Sequence, residues 1–391
     1  RPKNFDQLAG QDFVVSTLKN SLRSGRIAHA YLFSGPRGVG KTSAARILAK
    51  ALNCSEFDAP TENPCDVCTN CREIASGNSL DVLEIDGASN TSVNDIRRIK
   101  DEVLFSPTSC RKKVYIIDEV HMLSNSAFNA LLKTIEEPPE YVVFIFATTE
   151  IHKVPATIRS RCQQYHFQLF PIEVIIDLLG KTAEEGSVVI EDDALFWIAK
   201  EATGSMRDAY TLFDQIVALA ITESGQSGED ASRTCVISMD LIRDKLGLVG
   251  IDVINLLVEA MSRGNAGEAV EIVHDTLYRG VSVEQLVTDT VEYFRALLLI
   301  RQGITRDALI GTRMEQISQT VLRAYSKEQL EAAIELLLEL YRNVRYSLNP
   351  RFEVELAFSR LADLHRLVSH TTLVGRLASL KDQLLRGEFT A

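Results

Sequence analysis

At 391 residues, with 46% hydrophobic and 24% charged side chains, the chain has the make-up of a globular protein too long for one ordinary core. A net charge of −11 argues against a surface that wraps nucleic acid all over, while leaving room for a local basic strip. The sequence has no apolar run of about eighteen residues, as a membrane-spanning helix needs, and the opening Arg1-Pro2-Lys3-Asn4-Phe5 has no signal- or transit-like character. The expectation is a trimmed piece of a cytoplasmic protein.

The first 170 residues alternate apolar runs with amphipathic stretches. Ala30-Tyr31-Leu32-Phe33-Ser34 reads as a buried strand, followed by a glycine-rich turn and a helix through about Leu52. Leu80 to Asp86 is the next strand, and Val93 to Val103 a helix. Val114 to Ile117 and Val142 to Phe146 are continuous apolar runs, the mark of central parallel strands covered on both faces. Strands alternating with helices predict a doubly wound parallel α/β domain. After Pro171 the strand signal fades into about three helical patterns, among them Ala194 to Ala202 and Met206 to Ala220. Thr222 to Thr234, rich in Ser, Gly and charge, reads as a linker. From Cys235 onward leucines recur at helical spacing, as in Leu330, Ile334, Leu337, Leu338 and Tyr341, and predict an all-helical domain.

Gly35-Pro36-Arg37-Gly38-Val39-Gly40-Lys41-Thr42, continued by Ser43, fills the phosphate-loop pattern between a strand and a helix. Its glycines let backbone N–H groups turn toward an anion, and the helix that follows adds its positive end. Lys41 is placed to reach the β- and γ-phosphates, and the Thr42 hydroxyl to ligate Mg²⁺. The blander alternative is a tight turn with chance glycines. Asp118-Glu119 ends the apolar run from Val114. There Asp118 would hold the Mg²⁺ shell, and Glu119 would orient or deprotonate the attacking water. No Asn-Lys-x-Asp guanine motif occurs, so ATP is the expected nucleotide.

Seven cysteines are an odd number, and Cys54, Cys65, Cys68 and Cys71 cluster as Cys-x10-Cys-x2-Cys-x2-Cys. Thiolates at that spacing can converge on one tetrahedral Zn²⁺ and close the site, which makes it structural. An iron–sulfur cluster and free buried thiols are the alternatives. The ferredoxin run, however, has its last cysteine three residues downstream and followed by proline, where this chain has Ala75. Cys110, Cys162 and Cys235 stand alone. Arg111-Lys112-Lys113 reads as an exposed turn, and His29, His121 and His166 as structural residues.

Taken together, Arg1-Pro2-x-x-Phe5 with Gly10-Gln11, the phosphate loop, Asp118-Glu119-Val120-His121 and Ser160-Arg161-Cys162 resemble the AAA+ clamp-loader ATPases. Glu136-Glu137-Pro138-Pro139 and Gly204-Ser205-x-Arg207-Asp208-Ala209 are further family marks, and the four cysteines narrow the resemblance to the bacterial branch, the gamma/tau subunits of DNA polymerase III. The motifs are dense from Arg1 to about Ala220, and beyond that only helical character agrees. The resemblance implies an AAA+ base domain over residues 1–171 with a zinc module at 54–71, a helical lid over 172–234, and a helical collar for oligomerisation over 235–391.

It also implies roles. Arg161 becomes an arginine finger reaching the γ-phosphate held by a neighbouring subunit, Arg207 a second sensor acting in cis from the lid, and Thr149 the first sensor, with Thr148 beside it as the alternative. Thr91, Arg97 and Lys133 become contacts to duplex phosphates, which position without reading sequence. For at least half of the charges in Arg97-Arg98-Ile99-Lys100, followed at once by Asp101-Glu102, a solvated helix face is the simpler account. Implied cofactors are ATP, Mg²⁺ and Zn²⁺. Implied partners are copies of itself and other clamp-loader subunits in a spiral pentamer, a sliding clamp, primer–template DNA, and a polymerase core through a tail beyond Ala391, with no membrane. The expected activity is ATP hydrolysis within a DNA polymerase holoenzyme. A different AAA+ DNA remodeller and a non-hydrolysing scaffold subunit are the rivals, and the intact Lys41, Thr42, Asp118 and Glu119 weigh against the scaffold.

Overall fold

The structure is a computed structural model that describes residues 2–89, 99–223, 235–366 and 370–386. The chain divides into two compact units, residues 1–186 with 195–215 and residues 187–194 with 216–391.

The first unit is built on a five-stranded parallel sheet in the order β2-β3-β4-β1-β5, where β1 is Ala30–Ser34, β2 Val82–Asp86, β3 Lys113–Asp118, β4 Val142–Thr148 and β5 Gln163–His166. The apolar runs read from the sequence are the central strands. Every residue of β1 and β4 is buried, and β1 lies in register with β4 from Ala30 beside Phe144 to Ser34 beside Thr148. Such strands need side chains that are apolar on both faces, whereas the edges alternate. Tyr115, Phe144 and Phe146 form a ring stack across β3 and β4, with centroids 5.4 and 5.9 Å apart, and each such pair adds about 1 kcal/mol beyond its buried area. Ala127, Phe128, Leu131 and Ile135 of the helix Asn125–Glu136 belong to the same core. That helix starts where the Ser124 side chain caps the Ala127 N–H.

On its other flank the sheet carries the helix Lys41–Asn53, which packs against β3 and β4 and buries ten of its thirteen residues, too many for a one-sided amphipathic pattern. Strand β5 carries no apolar run in the sequence. Of Gln163, Gln164, Tyr165 and His166 only Tyr165 is buried, meeting Phe33 edge-on at 5.6 Å. The helix expected over Val93 to Val103 falls partly on residues 90–98, which lie outside the described residues; Ile99 and Val103 are buried in the core.

Arg111-Lys112-Lys113 is not an exposed turn. Lys113 is the first residue of β3 and is 8% exposed, and Arg111 is turned inward onto four carbonyls described below. Three adjacent cations look solvated in a sequence, but a guanidinium can be buried when carbonyls satisfy its donors.

The second unit holds a helical array from Met239–Leu246 to His370–Arg386 and a short parallel pair, Val188–Ile190 with Cys235–Ile237, in a region where the sequence showed no strand. Its core centres on Leu257, Val258, Phe294, Leu337 and Phe358. The helix Lys327–Val344 opens with a reciprocal Ser326–Gln329 capping box. Among the described residues no helix is long and apolar enough to cross a membrane.

Candidate functional site

The loop from Gly35 to Gly40 joins β1 to the helix Lys41–Asn53, and Gly40 enters that helix with φ +97°. At two positions glycine is a packing requirement. A Cβ on Gly35 would lie 2.3 Å from the Phe167 carbonyl oxygen. One on Gly38 would lie 1.9 Å from Ser205 Oγ and 3.2 Å from the Arg207 Cβ. Ser205 Oγ in turn accepts the Asp208 N–H, so the start of the helix Met206–Glu223 and the base of Arg207 lie against the phosphate loop. Pro36 and Arg37 are exposed, Val39 is buried, and Ser43 is half-buried one position after Thr42.

Lys41 Nζ donates to the carbonyls of Gly35 at 2.8 Å and Pro36 at 2.7 Å. An ammonium has three donors, so one remains for a phosphate oxygen. Burial pushes Lys41 below the ordinary lysine range, against the pull of Glu119 and Asp118. Thr42 Oγ1 donates to Asp118 Oδ2 at 2.6 Å, joining the loop after β1 to the end of β3.

Asp118 Oδ1 accepts the Glu119 N–H at 2.9 Å. Glu119 sits in the left-handed region at φ 44°, which costs a side-chain-bearing residue roughly 1–2 kcal/mol. The turn is held from the Gly87 side, where an added Cβ would come within 2.6 Å of the Glu119 carbonyl oxygen. Glu119 Oε2 accepts from the Thr149 hydroxyl at 3.1 Å and its N–H at 3.3 Å. Of the two threonines weighed from the sequence, Thr149 therefore touches the Glu119 side chain. Thr148 is fully buried, with its Oγ1 3.0 Å from His121 Nδ1. His121, read as merely structural, also stands 3.3 Å from Glu119 Oε2. Thr148 lies 27 residues along the chain from His121, so no spacing signal could have exposed that contact.

Arg161 is partly exposed; its Nη1 donates to the Thr157 carbonyl at 2.8 Å and its Nη2 pairs with Glu136 at 2.5 Å. Lys133 is exposed on the helix that ends at Glu136. Thr91 and Arg97 lie outside the described residues.

The four cysteines of the expected metal module converge, with Cys54, Cys65, Cys68 and Cys71 Sγ all within 4.8 Å of one another. A tetrahedral ion with metal–sulfur bonds of about 2.3 Å wants sulfurs roughly 3.8 Å apart, so the donor set fits one ion. Successive N–H groups point at the sulfurs, Cys65 at Cys54 Sγ (3.4 Å), Cys68 at Cys65 Sγ (3.3 Å) and Cys71 at Cys68 Sγ (3.4 Å). Burial raises the Cys54 and Cys71 thiols. Burial acts on Cys68 in the same direction, yet hydrogen bonds with Ser55 and the Cys71 N–H prevail and bring it down to about 6. Arg111 ties the segment to β3, donating from Nε to Leu52 O (3.1 Å), from Nη1 to Phe57 O (2.5 Å), and from Nη2 to Cys54 O (2.7 Å) and Ala59 O (3.3 Å). Lys50, 3% exposed, donates to Asp66 and the Lys3 carbonyl. Cys110 and Cys162 are free thiols raised by burial to about 11 and about 12.

Three family profiles match in succession: "DNA polymerase III, delta subunit" over residues 10–171, "DNA polymerase III clamp loader subunit, ATPase lid domain" over 175–222, and "DNA polymerase III subunits gamma and tau domain III" over 237–377. The chain is 38% identical over 366 residues to DNA polymerase III subunit tau of Bacillus subtilis, covering 92% of itself and 62% of that relative. It is 34% identical over 362 residues to DNA polymerase III subunit gamma of Buchnera aphidicola, covering 92% and 96%. Thus it spans about three-fifths of the Bacillus relative and nearly all of the Buchnera one. Among solved structures, a Thermotoga maritima RuvB variant is similar at a TM-score of 0.46 and 19% identity, over 82% of this chain and 90% of that one.

Proposed function

The chain belongs to the gamma and tau subunit family of bacterial DNA polymerase III clamp loaders, and from that premise we propose that it is an ATP-hydrolysing motor subunit that helps to open a sliding clamp and load it on primed DNA. The observation that carries this is the 2.6 Å pairing of Thr42 with Asp118 beside the Lys41 loop, with Glu119 on the same turn. A scaffold subunit has no use for all four groups.

The loop from Gly35 to Gly40, with Lys41, Thr42 and Ser43, cradles the triphosphate, and the remaining Lys41 donor reaches a phosphate oxygen. Thr42 and Asp118 would hold Mg²⁺, which when bound neutralises phosphate charge. Glu119 orients the attacking water and draws its proton, while Thr149 on the same carboxylate senses the γ-phosphate side. Arg207 answers in cis from the helix that leans on Gly38. Arg161 serves the nucleotide of the neighbouring subunit, since a planar guanidinium offers several fixed donors to a transferring phosphoryl group.

The cysteines hold a closed, structural Zn²⁺ and take no part in hydrolysis. Lys133 contributes a contact to duplex phosphates of the primer–template, together with Thr91 and Arg97. The domain plan is a base over 1–171, a lid over 172–234 and a collar over 235–391 that assembles copies of this chain and other subunits into a spiral. A cytoplasmic replication complex that includes the clamp and the polymerase core is its setting.

Steady-state ATPase measurements on the complex reconstituted with partner subunits, clamp and primed DNA test this. Turnover that disappears in Lys41→Ala is expected; absence of turnover in the wild type would favour the scaffold.

A further inference from the structure

We propose that His121 is a positioning residue for Glu119, holding one oxygen of its carboxylate through Nδ1 so that the other is available to the attacking water. This rests on the assignment of Glu119 just given and adds a residue to the site.

The His121 side chain is 6% exposed and stands among three elements. Its Nδ1 is 3.0 Å from Thr148 Oγ1 and 3.3 Å from Glu119 Oε2, and its Nε2 is 3.4 Å from Glu150 Oε1. Thr148 Oγ1 is fixed in turn by the Glu150 N–H at 3.0 Å, and Lys153 Nζ anchors the Glu150 carboxylate at 2.8 Å. The imidazole is thus hydrogen-bonded to Thr148 through Nδ1, with a carboxylate oxygen near each ring nitrogen.

Glu119 needs such a neighbour. Its backbone is in the left-handed region, and its side chain is a third exposed. Two hydrogen bonds fall on a single carboxylate oxygen, from the Thr149 hydroxyl and the Thr149 N–H, and His121 Nδ1 stands 3.3 Å from that same oxygen. Among the described residues Oε1 makes no hydrogen bond. A general base works only when its free oxygen is held within hydrogen-bond reach of the proton it takes, and an error of about 1 Å there can cost 10²-fold in rate.

The two ring nitrogens give a test that a merely structural histidine would not pass. In the reconstituted clamp-loader complex with clamp and primed DNA, His121→Ala is expected to lower kcat at least ~10-fold while the KM for ATP stays within about twofold. His121→Asn puts an amide nitrogen where Nδ1 stood and is expected to recover most of the loss. His121→Gln extends its amide toward the Nε2 position and is expected to remain as slow as His121→Ala. Wild-type kcat in His121→Ala would overturn the proposal, and so would a KM that rises as kcat falls, or equal rates in the Asn and Gln variants. Glu119→Gln is measured alongside: if it turned over normally, the assignment of Glu119 itself would fail, whatever the histidine variants did.

Discussion

The Thr42 hydroxyl stands 2.6 Å from Asp118 Oδ2, although 76 residues separate them in the chain. The pair marks where the turn after β1 and the end of β3 converge on one side of a parallel sheet, with β4 lying between those two strands. Crevices of this kind, beyond the carboxyl ends of parallel strands, are where open α/β sheets bind ligands.

Lys41 and Glu119 should separate binding from chemistry. Lys41→Ala removes the cation and its two loop carbonyl bonds, so nucleotide affinity is expected to fall about 100-fold or more, equivalent to roughly 3 kcal/mol. Glu119→Gln keeps the shape and the hydrogen bonds with Thr149 and is expected to bind ATP normally while hydrolysis drops. Titration calorimetry with ATP, beside a phosphate-release assay, checks both.

Arg161 is held on its own chain by Glu136 and the Thr157 carbonyl. Arg161→Ala is expected to leave ATP affinity nearly unchanged and to reduce hydrolysis in the assembled complex by ~10³-fold, the scale of arginine fingers. The same comparison in the isolated subunit should show little difference, because no neighbour is there to receive the finger.

Arg111 joins β3 to the cysteine segment through four carbonyls. Arg111→Ala leaves those acceptors without their donors and is expected to cost on the order of 2 kcal/mol. Arg111→Lys should recover only part of it, since a point charge cannot fork to several oxygens. Thermal denaturation gives the stability change, and zinc released to a colorimetric chelator tests whether the metal is lost with it.

The cysteines make a pH-dependent prediction. With the pKa of Cys68 near 6, below the ordinary thiol value of 9.0, its side chain is largely thiolate at pH 7. The Cys54 and Cys71 thiols are raised, so they are largely protonated there. In chelator-treated protein, iodoacetamide at pH 7 should modify Cys68 before the other two, and the preference should shrink as the pH falls through 6 and Cys68 takes up its proton. Peptide mass spectrometry reads the order; zinc added back should protect all of them.

Much of this was legible in the sequence because the signals are local. β1, β3 and β4 are apolar on both faces, and the phosphate loop keeps its glycines, lysine and threonine within eight consecutive residues. The four cysteines carry their spacing with them. What escaped depends on contacts across the fold. β5 is an edge strand with one buried residue in four, and Val188–Ile190 with Cys235–Ile237 offers only three residues a side. Arg111 looked like part of an exposed basic turn because its acceptors lie 52 to 59 residues away. His121 looked idle because Thr148 and Glu150, which flank its ring, lie far along the chain.

If one subunit binds the nucleotide and a neighbour completes its site, as proposed, then subunits with complementary defects should rescue each other when mixed. Lys41→Ala subunits cannot hold ATP but keep a sound Arg161; Arg161→Ala subunits hold ATP but lack the finger. Each variant alone, reconstituted with its partners, clamp and primed DNA, is expected to be nearly inactive. Mixed before assembly, they should regain a measurable share of wild-type ATPase, because some interfaces then join an intact Lys41 pocket to an intact Arg161. A mixture no more active than the sum of its two parts would contradict it.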